Sequence, residues 1–159
     1  MEYTESERLA HLFGQQVFRF AYVRLGNRQD AEDVTQETFL RLVRSAPEFP
    51  DDTRALAWLF QVAANCANDL FRRPWRRREV SVDELPEVGR DDPQAGGALE
   101  AVMALPPKYR TVIHLFYYED RSIAEISDIL RISPSAVKTR LSRARKQLKE
   151  TLKEVEPCV

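Results

Sequence analysis

The sequence predicts an all-α protein of two small helical domains, residues 1–73 and 98–153, joined by a flexible acidic linker at 74–97. Two observations support this prediction. Apolar residues recur at helical spacing through almost the whole chain, and no segment alternates convincingly as a strand does. Between residues 74 and 97 this periodicity stops, and three prolines and three glycines stand among many charges, as is typical of a linker. The total of 159 residues suits one ordinary domain or two small ones.

Three helices are predicted in the N-terminal domain. The first runs from about Ser6 to Leu25, and Gly26 is its expected C-cap. Its apolar stripe comprises Leu9, Leu12, Phe13, Val17 and Phe20. The second helix begins at an N-cap Asp30 and reads "DAEDVTQETFLRLVRS". The third runs from about Thr53 to Arg73, where Pro74 stops it.

The C-terminal domain is predicted to hold four helices. A short one, "ALEAVMAL", ends at residue 105, and two prolines open the next, "PKYRTVIHLFYYED". Ser122 and Glu125 form a capping box for a helix over 123–130. After the turn "RIS", Ser133 caps a last helix that has Pro134 at its first position.

The last helix concentrates positive charge in a chain whose formal net charge is −1. Its apolar residues Val137, Leu141, Ala144 and Leu148 form one narrow stripe that must pack inward. A capped short helix, a turn and a basic amphipathic helix are the layout of a helix-turn-helix, whose second helix enters the major groove of DNA. The outward residues are Ser135, Lys138, Thr139, Ser142, Lys146 and Lys149, with Arg143 at the border and Arg140 and Arg145 flanking the stripe.

A solvated lysine-rich helix is the alternative to DNA binding here. The nineteen residues from Arg131 to Lys149 contain no acid, and the caps and turn fit the motif, so the sequence favours DNA. Charge elsewhere is also segregated: residues 79–100 carry seven acidic groups and one basic group. Such segregation indicates polyanion contact in one place and a basic or protein partner in another.

The third helix carries a second candidate nucleic-acid surface. Opposite its apolar stripe stand Arg54, Trp58, Gln61, Asn65 and Arg72. An outward tryptophan beside amides and arginines can stack on unpaired bases and hold their backbone. The competing interpretation is that Trp58 is a core residue packed by another helix.

The second helix carries an acidic cluster, Asp33, Gln36 and Glu37, without balancing lysines. DNA would be repelled by this cluster, whereas a basic protein surface would be attracted. The alternative is an ordinary solvated helix face.

Four segments together resemble the extracytoplasmic-function (ECF) group of bacterial sigma factors. They are "DAEDVTQETFLRL" (30–42), "ALAWLFQVAANCANDLFRR" (55–73), "LPPKYRTVIHLFYYEDRSIAEISDIL" (105–130) and "SPSAVKTRLSRARKQLK" (133–149). They follow the family's order, and the acidic linker falls where the family has one. The resemblance implies a protein that binds core RNA polymerase, directs it to a promoter, helps to open the duplex, and catalyses no reaction itself.

The resemblance also implies roles for particular residues. Asp33, Gln36 and Glu37 match the family's contacts to the clamp of the largest polymerase subunit. Phe49 and the loop "PDDTR" after it, with Trp58 and Asn65, match positions that engage the minus-ten element as it melts.

In the last helix, the match falls on the positions that read the minus-thirty-five element: Lys138, Thr139, Ser142 and Arg143. Arg140 and Arg145 fit the family's "RLxRAR" pattern, as structural or phosphate-binding residues. An anti-sigma factor, often membrane-tethered in this family, is the further expected partner.

Other function classes find little support in the sequence. There is no nucleophile–base set, glycine-rich phosphate loop or metal-ligand spacing, so no enzyme, cofactor, metal or small-molecule substrate is expected. Without a signal peptide or an apolar run long enough to span a bilayer, a cytoplasmic protein is expected. The alternative function is a stand-alone helix-turn-helix transcription regulator, which has no need of "DVTQE" or the third-helix surface.

Overall fold

The computed structural model describes residues 4–45, 47–72 and 96–155, with side chains given for 4–45, 47–72 and 99–152. In the N-terminal part, α1 spans Glu5–Leu25, α2 spans Arg28–Ser45 and α3 spans Asp52–Phe71. In the C-terminal part, α4 spans Gly96–Met103, α5 spans Pro107–Ile113, α6 spans Ile123–Leu130 and α7 spans Pro134–Val155. No strand occurs in these ranges, so the all-α prediction is confirmed.

The chain divides into two compact units, Met1–Val82 and Asp83–Val159. Residues 73–95, which include most of the predicted linker, lie outside the described residues. The exact domain boundaries therefore stay predictions. Within the described ranges, no helix combines the length and apolar character needed to cross a membrane.

The caps of α1 and α2 follow from side-chain chemistry at their ends. Thr4 accepts a hydrogen bond from the main-chain N–H of Glu7, and Gly26 ends α1 in the left-handed conformation that glycine tolerates best. The prediction that Asp30 caps α2 is wrong. Asn27 takes that role by accepting the N–H of Asp30 at 3.0 Å, and Asp30 itself is buried within the first turn.

Helices α1, α2 and α3 bury a common apolar core. Phe20 and Phe60 meet with ring centroids 5.2 Å apart, and Leu9, Leu42 and Leu59 are fully buried. Each such side chain contributes roughly 1.5–3 kcal/mol through burial. The predicted core stripe of α1 includes Leu12, but this side chain is 50% exposed, because helical spacing puts it at the edge of the stripe.

Helices α4 to α7 form the second unit around Val112, Leu115, Ile126, Ile129, Val137 and Leu141, all of them buried. One continuous helix was expected over 107–120. Instead α5 passes at Ile113 into a π-helical turn, His114–Tyr118. The N–H of Glu119 bonds to the carbonyl of His114, which closes this wider turn. The turn buries the side chains of His114 and Glu119, which face each other at 3.3 Å.

Helices α6 and α7 form the predicted helix-turn-helix layout. Ser122 accepts the N–H of Glu125, and the Glu125 carboxylate accepts the N–H of Ser122, so the capping box is confirmed. Arg131 ends α6 in the left-handed region, with φ at 57°. Ser133 then accepts the N–H of Ala136 and starts α7, as the sequence predicts.

Ser122→Ala is expected to lower the local unfolding free energy of α6 by about 1 kcal/mol, because the Glu125 N–H loses its acceptor. Hydrogen–deuterium exchange of the α6 amides in the full chain measures this directly. The matched control is Ser45→Ala, at the exposed end of α2. Unchanged α6 exchange in Ser122→Ala would contradict the capping role.

The charge on Glu125 adds a pH-dependent part to this cap. Hydrogen bonding from the Ser122 N–H holds the pKa of Glu125 below its ordinary value. A carboxyl whose pKa is lowered in the folded state stabilises the fold at any pH above its unfolded-state pKa, about 4.3. This contribution is lost as the pH falls through the folded-state pKa. The unfolding free energy of Glu125→Gln should therefore be lower than that of the wild type at neutral pH. In strong acid the two unfolding free energies should converge.

Candidate functional site

The exposed face of α7 is the first candidate interface. Its apolar residues Val137, Leu141 and Ala144 are buried, although Leu148 is only half-buried. This packing turns the opposite face to solvent. Of the residues predicted on this face, the exposed ones are Ser135, Lys138, Thr139, Ser142, Arg143 and Lys146, and Arg140 is half-buried beside the stripe. One helix face therefore presents short polar groups near its start and cations further along, a pattern suited to base edges and phosphates.

Arg145, at the border of this face, has aromatic partners that sequence reasoning missed. Its Nε donates to the hydroxyl of Tyr117 at 2.6 Å. Its guanidinium also lies 5.6 Å from the ring centroid of Phe116 and 5.5 Å from that of Tyr117. Because 28 positions separate Arg145 from Tyr117, no local sequence signal could have paired them.

The polar face of α3 is the second candidate interface. The buried stripe of Leu56, Leu59, Phe60, Ala63 and Ala67 fixes the orientation of the helix. The opposite face leaves Arg54 and Arg72 exposed and Trp58, Gln61 and Asn65 half-buried. The structure thus brings all five predicted residues of this helix onto one side.

Trp58 is neither a core residue nor an isolated surface ring. It packs against Phe49, with ring centroids 5.6 Å apart and an angle of 58° between the rings. Phe49 is itself half-buried and lies in the loop that precedes α3. Loop and helix therefore share one partly exposed aromatic surface, and an unpaired base could stack there.

An ion-pair network holds the start of α3 against α1. Arg8 donates to Asp52 at 2.8 and 3.2 Å and to Glu5 at 2.7 and 3.0 Å. Hydrogen bonding to Arg8 lowers the pKa of both carboxyls and raises the pKa of the guanidinium. This exposed network, which joins residues 44 positions apart, was also invisible to sequence reasoning.

The outer face of α2 is the third candidate interface, and it differs in charge from the other two. Asp33 and Gln36 are exposed, whereas Glu37 is half-buried and pairs with Arg41 at 3.2 Å. The acidic cluster is therefore partly neutralised. Leu40 continues this face at helical spacing and is 47% exposed, and Val43 beside it is 62% exposed.

Leu40 and Val43 give this face an apolar part beside its predicted polar residues. The sequence does contain a signal for Leu40, because it follows Asp33, Gln36 and Glu37 at spacings of seven, four and three, which put it on the same helix face. A face that combines carboxylates with exposed apolar groups is suited to a protein partner rather than to a polyanion.

The chain matches two family models in the order of its two units. The model described as "Sigma-70 region 2" matches residues 9–77, and the one described as "Sigma-70, region 4" matches residues 97–148. All three candidate interfaces lie within these matches.

Individual relatives extend this similarity over most of the chain. The ECF RNA polymerase sigma factor SigE of Mycolicibacterium smegmatis is 33% identical over 157 residues, an alignment covering 92% of this chain and 61% of SigE. The chain thus spans about three fifths of the length of that relative. The ECF RNA polymerase sigma factor SigL of Mycobacterium tuberculosis is 37% identical over 150 residues, covering 87% of this chain and 84% of SigL.

A solved structure agrees with the fold. CnrH, determined in complex with the cytosolic domain of CnrY, aligns with a TM-score of 0.65 at 26% sequence identity. This alignment covers 95% of the present chain and 89% of CnrH.

Proposed function

Because this chain belongs to the ECF sigma factors of the sigma-70 family, we propose that it binds core RNA polymerase, directs it to specific promoters and helps to melt them. One observation supports this most strongly: region 2 and region 4 occur in order on one chain. A stand-alone regulator needs a helix-turn-helix but has no use for region 2. The chemistry of RNA synthesis belongs to the polymerase, and the chain supplies positioning and binding energy.

The outer face of α2 is the proposed docking site for core polymerase. Asp33, Gln36 and Glu37 supply hydrogen-bond acceptors and negative charge, and Leu40 adds apolar area beside them. Complementary charge steers encounter with a basic partner, and burial of apolar area holds the complex together.

The aromatic surface of α3 is the proposed site for the minus-ten element. Phe49 and Trp58 offer ring faces for bases leaving the stack, and Asn65 and Gln61 offer amide groups to their edges. Arg54 and Arg72 lie at the two ends of the helix, where they suit the backbone of the single strand. Stacking of each base contributes about 1–3 kcal/mol, enough to offset much of the cost of unstacking it.

The exposed face of α7 is the proposed reader of the minus-thirty-five element. Lys138, Thr139, Ser142 and Arg143 are the residues proposed to contact base edges or nearby phosphates, and Ser135, Arg140 and Lys146 complete the face. Duplex DNA is held here while the strands separate at the downstream element.

An anti-sigma factor is the remaining proposed partner. CnrH, which shares this fold, was solved bound to the cytosolic domain of another protein, CnrY. An inhibitor that covers the α2 face or the α7 face would block function by competition with polymerase or DNA.

Run-off transcription with sigma-free core polymerase tests the proposal. The template is a promoter identified by sequencing transcripts after overexpression in the source organism. We expect a promoter-specific transcript that requires this chain. A chain that binds the same DNA but yields no specific transcript with core polymerase is a regulator, and the proposal would then be wrong.

Arg143→Ala is expected to weaken promoter binding by the holoenzyme about 10-fold, because one contact to a base or phosphate is worth roughly 1–3 kcal/mol. The loss should vanish on a promoter whose upstream element is scrambled. Filter binding on both promoters measures this, with Arg28→Ala on α2 as the control of equal charge change. An equal loss on both promoters would count against a local contact at the upstream element.

A further inference from the structure

The guanidinium of Arg145 is held in a fixed orientation by three contacts from the π-helical turn. The Tyr117 hydroxyl accepts from Nε at 2.6 Å, and the rings of Phe116 and Tyr117 lie 5.6 and 5.5 Å from the guanidinium carbon. Arginine side chains carry considerable rotamer entropy, and most exposed ones are free to sample it. Here that freedom is restricted before any partner arrives.

These contacts leave one edge of the guanidinium available. Nε is occupied by Tyr117, and none of the described residues accepts a hydrogen bond from either terminal nitrogen. Arg145 is also exposed to solvent. Two parallel N–H groups in one plane match two oxygens of a phosphate or a carboxylate.

The position of Arg145 selects phosphate over carboxylate. It follows Lys138 by seven residues and precedes Lys149 by four, so all three cations lie along the same side of α7. The adjacent exposed face carries the residues proposed to meet DNA, and the segment from Arg131 to Lys149 contains no acid. A polyanion that lies along this face meets Arg145 at its edge.

We propose that Tyr117 positions Arg145 to bind a phosphate of the duplex backbone beside the bases read by α7. Tyr117 is the positioning residue, and Arg145 is the binding residue. This inference rests on the proposed function, since it requires α7 to lie on promoter DNA. The contact fixes the register of α7 on the duplex without reading its sequence, because the phosphate group is the same at every base pair.

Tyr117→Phe provides the test, because it removes one oxygen and keeps the aromatic ring. Holoenzyme is assembled from core polymerase and the full chain, and its affinity for promoter DNA is measured across a series of salt concentrations. We expect a three- to tenfold loss, about the effect of one hydrogen bond. Arg145→Ala should lose at least as much and flatten the slope of log affinity against log salt by about one.

The matched control is the neighbouring tyrosine. Tyr118 is 60% exposed and Tyr117 55%, but the Tyr118 ring stacks on His114 rather than on Arg145. Tyr118→Phe should therefore leave affinity and salt slope unchanged. In the Arg145→Ala background, Tyr117→Phe should cause no further loss.

Single methylphosphonate substitutions along the upstream element locate the phosphate. One substitution should weaken wild-type holoenzyme but leave the Arg145→Ala holoenzyme unaffected. The inference would be overturned if Tyr117→Phe bound promoter DNA with wild-type affinity, or if Tyr117→Phe caused a further loss of affinity in the Arg145→Ala background. It would also be overturned if the variants lost binding to core polymerase rather than to DNA. Absence of promoter preference in the wild type would instead overturn the proposed function.

Discussion

Replacing both Asp33 and Glu37 with lysine is expected to abolish binding to core RNA polymerase. Both side chains lie on the outer face of α2, where Asp33 is exposed and Glu37 is half-buried, and neither belongs to the buried core, so the helical fold should survive. Charge reversal at the centre of a complementary interface costs several kcal/mol, and a loss of about 100-fold or more in affinity follows. Lysine at position 37 also replaces the ion pair with Arg41 by a repulsion on the same face.

A titration of labelled chain with core polymerase measures this loss, and thermal unfolding verifies the fold. The control reverses two exposed carboxylates of the same unit that lie outside α2, Glu7 and Glu48, with an identical change in net charge. If both double variants lose affinity equally, a general electrostatic effect is responsible. If Asp33→Lys with Glu37→Lys binds like the wild type, the α2 face is not the docking site.

Trp58→Ala is the second change with a large expected effect, and it should act on promoter opening. The variant removes a half-buried ring and leaves Phe49 without its aromatic neighbour. Loss of a stacking platform costs about 1–3 kcal/mol per captured base, so the open complex should be depleted about 10- to 100-fold. Core binding should be unchanged, because Trp58 is on α3 and the proposed docking face is on α2.

Permanganate reactivity of unpaired thymines reports the open complex, and fluorescence titration reports core binding. Phe18→Ala is the matched control, since Phe18 is another half-buried ring of the same unit but packs on Tyr22 of its own helix. Wild-type opening in Trp58→Ala would reject base capture by this surface. Equal depletion of the open complex in both variants would indicate that the fold is destabilised, rather than that a contact to a base is lost.

The sequence predicts most of the helices because their signals are local. The capping box at Ser122 and Glu125, the proline that starts α7 and the glycine that ends α1 are each decided within a few residues. The buried stripes of α3 and α7 likewise follow from spacing. The π-helical turn at His114–Tyr118, which buries His114 and Glu119, has no comparable local signal in the sequence. The prediction of Asp30 as the N-cap is wrong because Asn27, three residues earlier, offers the same capping chemistry.

In the candidate interfaces, too, the features set by local spacing could be predicted and the contacts between distant residues could not. Which residues share a helix face could be predicted from the period alone, and the structure agrees for α2, α3 and α7. Contacts between distant segments could not be predicted, as with Phe49 on Trp58, Arg8 on Asp52 and Tyr117 on Arg145. Tertiary packing brings these partners together.

Site-specific crosslinking within the holoenzyme tests most directly whether this one polypeptide grips a promoter at two separate places. A photo-crosslinking amino acid is placed at position 58 of α3 in one sample and at position 142 of α7 in another. The account predicts two distinct stretches of DNA: the upstream duplex for position 142, and, for position 58, downstream bases that react only once the strands have separated. Crosslinks from both positions to a single stretch, or no crosslink in the presence of core polymerase, would contradict it.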